Sequence, residues 1–234
     1  MSDFRFTKEN IDACLNEVAK EYKRLNGRKT SAEIILIGGS SILVNYQFRA
    51  STTDVDALIE ASSSIKEAIN HVGDKLGLPT NWLNADFVRT NSYSQKIYQF
   101  SKYYKTFSNV LSVRTISAEY LIAMKLMAGR VYKNDMSDVV GIIAEHKSFD
   151  KNISLDDVKR ATAELYGDYG KLPEKSRMFV EALYTNNDQD SLNYDDVLEN
   201  ERNNKRILLD FQDKYPGVLN ENNLDEIIAN AKDK

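Results

Sequence analysis

Residues 34–58 read IILIGGSSILVNYQFRASTTDVDAL, and this stretch decides how the chain is organised. Four aliphatic residues end at Gly38 and Gly39, an apolar segment follows, and a polar Ser/Thr run leads to Asp54 and Asp56. The pattern predicts a buried strand, a tight glycine turn, a helix and a second strand. Because side chains alternate along a strand, the two aspartates point to the same side of the sheet.

The glycine turn and the acidic pair together could bind a phosphate group and its metal ion. Glycine lets backbone N–H groups come close to a phosphate because it has no Cβ. Two adjacent carboxylates repel each other unless a cation lies between them, and hard oxygen ligands suit Mg²⁺ bound to a nucleotide. The competing interpretation is a Rossmann-like turn followed by a chance acidic pair.

The order of these residues resembles the signature of the polymerase β-like nucleotidyltransferase superfamily. It is most similar to the AbiEii-like or MNT-like stand-alone bacterial members, which are often toxins of toxin–antitoxin or phage-defence systems. Their motif reads roughly GG-[ST]-A-[LM], then R-x-[ST]-x-D-[IV]-D. The matching residues are Gly38, Gly39, Ser40, Arg49, Thr52, Asp54 and Asp56. The resemblance implies that the two aspartates hold two Mg²⁺ ions and that the other five residues contact an NTP.

A second segment of this kind follows the predicted sheet. Residues 117–130 read SAEYLIAMKLMAGR and are predicted to form a helix capped by Ser117. The segment resembles a helix of AbiEii-like proteins, which implies a catalytic, phosphate-binding role for Lys125 and nucleotide contacts for Asp135 and Asp138. Other roles stay open from the residues alone. Lys125 could snorkel to the surface or pair with Asp138, and the two aspartates could form structural ion pairs or cap a helix.

The usual third carboxylate of polymerase β-like transferases is not found where it is expected. We predict two further strands at 96–100 and 104–113, and neither contains Asp or Glu. Asp86 is therefore the candidate third metal ligand. The alternatives are two protein carboxylates completed by phosphate and water, or a site that has lost catalysis. Trp82 is expected to pack beneath the site rather than to stack on a base.

Composition sets the broad class of the protein. With 234 residues and 28% charged residues, the chain is long enough for a sizeable core and is typical of globular proteins. We predict an α+β fold, with a small mixed-sheet nucleotidyltransferase domain flanked by helices over 1–115 and an all-helical domain over 116–234. One cysteine and two isolated histidines argue against a disulfide framework or a zinc site. The absence of a signal peptide and of a long apolar run predicts a cytoplasmic protein without a membrane partner.

The resemblance implies a Mg²⁺-dependent nucleotidyltransferase that moves an NMP from an NTP to a hydroxyl acceptor. The resemblance favours RNA as the acceptor, in particular the 3′ end of a tRNA, and a toxin role with a possible cognate antitoxin. The net charge of −4 argues only against binding nucleic acid through overall charge. The alternatives are nucleotidylation of a partner protein, a small-molecule acceptor such as an aminoglycoside, and a catalytically silent module that binds an NTP or a partner.

Overall fold

The computed structural model describes residues 4–185 and 193–232. At its centre is a five-stranded mixed sheet. The strands are β1 (Ala32–Leu36), β2 (Val55–Glu60), β3 (Leu83–Asn84), β4 (Ser101–Phe107) and β5 (Leu111–Ile116). Their order is β3-β2-β1-β5-β4, with β1 antiparallel to β2 and parallel to β5. β3 runs parallel to β2, and β4 and β5 form an antiparallel hairpin.

Helices precede, separate and follow the strands. The α-helices are α1 (Lys8–Asn26), α2 (Gly38–Asn45), α3 (Ser64–Leu76), α4 (Ala118–Ala128), α5 (Asp135–Ser148), α6 (Leu155–Tyr166), α7 (Glu174–Thr185), α8 (Tyr194–Lys214) and α9 (Leu224–Lys232). α4 is buried on all sides from residue 120 to residue 126, because α5, α6 and α7 surround it. α8 packs on α5, and α9 packs on α8.

Side-chain alternation divides the strand residues between two hydrophobic cores. Ile34 and Leu36 lie in a core that β1 forms with α1 and α3. Ile35 and Leu58 lie in a second core that contains residues of α4 to α7. Asp56 comes two residues before Leu58, so its side chain points to the face of the sheet that the later helices cover.

The predicted α+β class, with a mixed sheet and C-terminal helices, is confirmed. The second core crosses residue 116, because it joins strand residues such as Ile35 to helix residues such as Leu121. The two parts of the chain therefore share buried surface. Their division into domains at 115/116 stays a prediction.

The strand predicted at 96–100 was wrong, and the strand predicted at 104–113 was wrong in its bounds. Gln95–Phe100 is a 3₁₀ helix, and the second predicted segment contains a hairpin turn. Ser108 and Asn109 have φ values of +50° and +59°, which reverse the chain between β4 and β5. The turn has no glycine to mark it, and asparagine is one of the few other residues that enter the left-handed region readily.

Trp82 is a packing residue, as predicted. It is 2% exposed and stacks on Phe6, with ring centroids 5.5 Å apart. Its indole N–H donates to Ile69 O over 3.2 Å. Trp82 belongs to the core on the opposite face of the sheet from Asp56. It therefore packs behind the strand that carries this aspartate.

Candidate active site

The glycine turn joins β1 to α2 and lies against β2. Gly38 has φ +54°, a left-handed conformation that glycine adopts without a steric penalty. Ile37 N donates to Asp56 O over 2.9 Å, and the Ser40 hydroxyl lies 2.8 Å from Ile37 O and 3.1 Å from Asp56 O. A Cβ on Gly38 would lie 4.0 Å from Asp56 Oδ2. The turn and this aspartate are therefore neighbours, and the Ser40 side chain is used to hold them together.

Gly39 allows a close approach of two other predicted nucleotide-binding residues. A Cβ at this position would lie 2.8 Å from Arg49 Nη2 and 2.9 Å from Thr52 Oγ1. Arg49 Nε is buried and has no hydrogen-bond partner in the described part of the chain. Gly39, Arg49 and Thr52 therefore meet at the start of α2, where the first backbone N–H groups have no acceptor within the helix.

The acidic pair lies beside this turn. Asp56 is partly buried on β2 and Asp54 is exposed just before it. Burial and the neighbouring charge of Asp54 raise the pKa of Asp56 above its ordinary value. Within residues 4–185 and 193–232, neither carboxylate has a salt-bridge partner. Two adjacent carboxylates without a salt-bridge partner in these ranges are a donor set that fits a hard divalent cation such as Mg²⁺.

The structure does not bring Asp86 to this pair. Asp86 begins the 3₁₀ helix Asp86–Arg89, and its side chain is 68% exposed and 3.9 Å from Arg89 Nη1. The described residues contain no group of three or more His, Cys, Asp and Glu side chains that could hold a metal ion. The predicted three-carboxylate site is therefore not formed, because the chain leaves the sheet before it reaches Asp86.

Asn84, rather than Asp86, lies beside Asp56 on the neighbouring strand. It is the register partner of Asp56 in the parallel pair of β2 and β3. Its amide group donates to Asn81 O over 3.2 Å, and its Oδ1 accepts from the backbone N–H of Asp86 over 2.9 Å. An amide that is already hydrogen-bonded thus stands next to Asp56, so Asp54 and Asp56 are the carboxylates available for a cation.

A buried network of charges lies between the turn and the helices. Lys125 Nζ is 3.0 Å from Asp135 Oδ1 and 2.7 Å from Asp138 Oδ2. Arg49 Nη1 contacts both carboxylate oxygens of Asp138 at 2.6 and 2.5 Å. Arg130 Nε donates to Asp135 Oδ2 over 2.7 Å. Three cationic side chains therefore share two carboxylates, and this sharing links the loop of Arg49 to α4 and α5.

The network favours one of the interpretations of Lys125 that the sequence left open. Its side chain is 10% exposed, and those of Asp135 and Asp138 are fully buried. Burial by itself would lower the pKa of Lys125, but Asp138 and Asp135 raise it; burial would raise the pKa of Asp135, but Lys125 and Arg130 bring it to about 2. Because two carboxylates already hold the ammonium group, the geometry favours an ion-paired structural lysine over the predicted phosphate-binding one.

Helix α5 also fixes the loop that carries Arg49. The Glu145 carboxylate accepts hydrogen bonds from Gln47 N at 2.9 Å and Phe48 N at 3.4 Å. Gly141 packs under the same loop, because a Cβ there would lie 2.5 Å from the Phe48 ring. With Asp138 on the same helix holding Arg49, one face of α5 sets the position of the arginine beside Gly39.

The role of Glu201 could not be predicted from the sequence. This residue of α8 is 2% exposed, and its carboxylate accepts from Met136 N at 2.8 Å, Ser137 N at 3.3 Å and Ser137 Oγ at 2.5 Å. It therefore caps the N-terminus of α5. Burial raises the pKa of Glu201 to about 7, despite these hydrogen bonds. A single glutamate in a polar helix carries no local signal for such a contact.

Lys133 is another charged residue in this region that was not predicted as a site residue. It lies between α4 and α5, is exposed, and has no ion pair or side-chain hydrogen bond within the described ranges. Partial burial of its ammonium group and the nearby Arg130 lower the pKa of Lys133, while Asp135, Asp54 and Asp56 raise it. Lys133 therefore lies within electrostatic range of the acidic pair.

Comparison with known families agrees with the class that this fold and site indicate. A family described as "Nucleotidyltransferase of unknown function (DUF6036)" matches residues 13–189, which include the glycine turn, the acidic pair and the buried charge network. The chain belongs to this nucleotidyltransferase family, so the predicted superfamily is confirmed, while the AbiEii-like subtype stays a prediction. No curated protein and no solved structure matches the chain. No helix in the described ranges has the length and apolar character needed to span a membrane.

Proposed function

We propose that the chain transfers an NMP from an NTP to a hydroxyl acceptor, with Asp54 and Asp56 holding Mg²⁺. One observation carries the proposal: a pair of carboxylates with no salt-bridge partner among the described residues lies beside a glycine turn, and Asp56 Oδ2 is 4.0 Å from the position of a Gly38 Cβ. Mg²⁺ at such a pair would neutralise phosphate charge and make an acceptor hydroxyl more acidic.

The residues of the chain supply positioning and charge. The backbone N–H groups at the start of α2 would receive phosphate oxygens, since they have no acceptor within the helix. Arg49 Nη2 reaches the same place next to Gly39, while its Nη1 stays bound to Asp138. The buried network would keep this arginine in place before and after substrate binds, which is how preorganised charge contributes to phosphoryl transfer.

The test of catalysis uses Asp54→Asn and Asp56→Asn with α-labelled NTPs and a cell lysate. Each variant is expected to lose nucleotide incorporation while its circular dichroism spectrum and melting temperature stay close to those of the wild type. Asp74→Asn, an exposed change on α3, is the matched control. Asp86→Asn is expected to retain incorporation. Full transfer activity in either of the first two variants would end the two-carboxylate mechanism.

The acceptor proposed from the resemblance is the 3′ end of a tRNA, and a hydroxyl of a partner protein is the competing acceptor. Incubation of the lysate with each labelled NTP separates them, because the label enters either tRNA or a protein band. Growth arrest on expression, lost in Asp54→Asn, is the expected result for a toxin. Normal growth of cells that express active wild-type protein would contradict that role.

A catalytically silent NTP-binding module is the second candidate function. The observation that favours it is the lack of a third carboxylate near the pair in the described residues. Saturable NTP binding without label in any lysate component would support it over transfer.

A further inference from the structure

Helix α8 contacts three parts of the protein that lie around Arg49. Its buried residues recur every three or four positions and therefore form one face of the helix; they are Val197, Leu198, Glu201, Asn204 and Leu208. Two of the five are polar, and each of these two is 2% exposed. A polar side chain at this depth needs a hydrogen-bond partner. The partners of both side chains lie on α5 and on the connection before it.

Glu201 holds the first turn of α5. Its carboxylate accepts hydrogen bonds from Met136 N at 2.8 Å, and from Ser137 N at 3.3 Å and Oγ at 2.5 Å. These two donors lie between Asp135 and Asp138, the carboxylates that hold the buried cations. Among the described residues, the side chain that directly precedes α5 makes no capping hydrogen bond. The cap therefore comes from another helix, and the position of Asp138 depends on it.

Two further contacts of α8 reach the segments on either side of α5. Tyr194, the first residue of α8, packs edge-on against Phe48, with ring centroids 5.1 Å apart. Phe48 directly precedes Arg49 in the chain. The Asn204 amide donates to Val131 O over 2.7 Å and so holds the connection between α4 and α5. One helix thus contacts the loop that carries the arginine, the helix that binds its guanidinium group, and the connection before that helix.

The position of Arg49 is sensitive to these contacts. Nη1 lies 2.6 and 2.5 Å from the carboxylate oxygens of Asp138, and Nη2 would lie 2.8 Å from a Cβ on Gly39. Nε is buried and has no hydrogen-bond partner in the part of the chain that the structure describes. A movement of the first turn of α5 would therefore move the guanidinium group away from the glycine turn. Charge-assisted hydrogen bonds weaken steeply when their geometry is lost.

We propose that α8 positions Arg49 for the nucleotide, with Glu201 and Tyr194 as its positioning residues. Glu201 would act by keeping Asp138 in place, and Tyr194 by keeping the neighbouring Phe48 in place. The proposal rests on the proposed nucleotide-binding function of the site. The hydrogen bonds of Glu201 within the described ranges are with α5 and not with the glycine turn, so its effect on a bound phosphate is indirect.

The experiment measures the affinity of the full chain for each common NTP with Mg²⁺ by titration calorimetry, at a temperature where the circular dichroism of every variant shows a folded protein. Glu201→Leu removes the acceptor and is expected to weaken NTP binding about tenfold, the order of one charge-assisted hydrogen bond. Glu201→Gln keeps an oxygen that can accept from α5, so it is expected to retain most of the affinity.

A structural cap without a positioning role would change the melting temperature but not the affinity of the folded chain. Val18→Ala, in the core that β1 forms with α1 and α3, is the control for lost stability alone. It is expected to lower the melting temperature and to leave NTP binding unchanged. Wild-type NTP affinity in folded Glu201→Leu overturns the proposal.

A double-mutant cycle shows whether the effect passes through Arg49. In a chain that carries Arg49→Met, the further change Glu201→Leu is expected to alter NTP affinity by about twofold or less, because the contact that it positions is already absent. An equal loss with and without Arg49 overturns the proposal.

A second variant decides the matter if Glu201→Leu does not fold. Tyr194→Leu removes the ring that packs on Phe48 and is expected to weaken NTP binding. Tyr215→Leu, at the opposite end of α8, is the matched control and is expected to leave binding unchanged. Wild-type affinity in Tyr194→Leu would then overturn the proposal. A wild-type chain that binds no NTP overturns the proposed function itself.

Discussion

Replacing Glu201 with glutamine is expected to flatten the pH dependence of the stability of this protein. Glu201 is 2% exposed, and its carboxyl group joins α8 to the first turn of α5 through Met136 and Ser137. Burial disfavours its charged form, whereas the hydrogen bonds from α5 favour that form. The balance of the two effects raises the pKa of Glu201 to about 7 in the folded state.

The size of the effect follows from the difference between the folded and unfolded pKa values. An unfolded chain titrates its glutamates near about 4.3. Between that pH and the folded pKa of about 7, the folded state retains a proton that the unfolded state has lost. Stability therefore falls as pH rises through this window. The linkage relation gives a loss on the order of 2–3 kcal/mol between about pH 5 and pH 8.

The assay is urea unfolding of the wild type and of Glu201→Gln at several pH values from about 5 to 8. The variant cannot ionise, so it is expected to gain about 2–3 kcal/mol relative to the wild type across this range. Glu199→Gln, an exposed change on the same helix, is the matched control and should show no such trend. A variant that loses relative stability as pH rises would mean that the ionised carboxylate is the better cap of α5, which refutes the reasoning.

Three substitutions test the arrangement of the site. Lys125→Met should lower the free energy of unfolding by about 3 kcal/mol or more, because it leaves two buried carboxylates with fewer partners; unchanged urea unfolding would contradict the network. Gly141→Ala places a Cβ 2.5 Å from the Phe48 ring and should lower the free energy of unfolding by about 1–3 kcal/mol, although alanine normally stabilises a helix interior. A gain in stability would show that the loop of Phe48 can move away from α5. Gly39→Ala displaces Arg49 Nη2, which would lie 2.8 Å from the new Cβ, and should weaken NTP binding about tenfold by calorimetry; wild-type affinity would exclude this role of the glycine.

Local patterns were sufficient to predict the strand, glycine turn, helix and second strand around the acidic pair. Alternation along β2 puts Asp56 on the same face as Leu58, which lies in the second core. The start of α4 directly after Ser117 was also predicted, although the Ser117 side chain makes no capping hydrogen bond. The bounds of β4 and β5 were not predicted correctly, because the turn between them at Ser108 and Asn109 contains no glycine.

The roles of charged residues could not be predicted in the same way. The sequence marked Lys125 and Asp86 as site residues. The structure pairs the lysine with Asp135 and Asp138 and leaves Asp86 exposed on a 3₁₀ helix. Choosing between a phosphate and an aspartate as the partner of a lysine requires the distances between α4 and α5, which no sequence spacing contains.

The sequence by itself determined the class of this protein, because a glycine turn followed by an acidic pair depends on backbone conformation and on the two-residue period of a strand. Only the tertiary structure decided which charged side chains lie together. It placed Glu201 on the N-terminus of α5 and Arg49 beside Gly39 and Asp138. These contacts join residues that are far apart in the chain, and the energy of a charge is set by burial and by its nearest partners rather than by its neighbours in sequence.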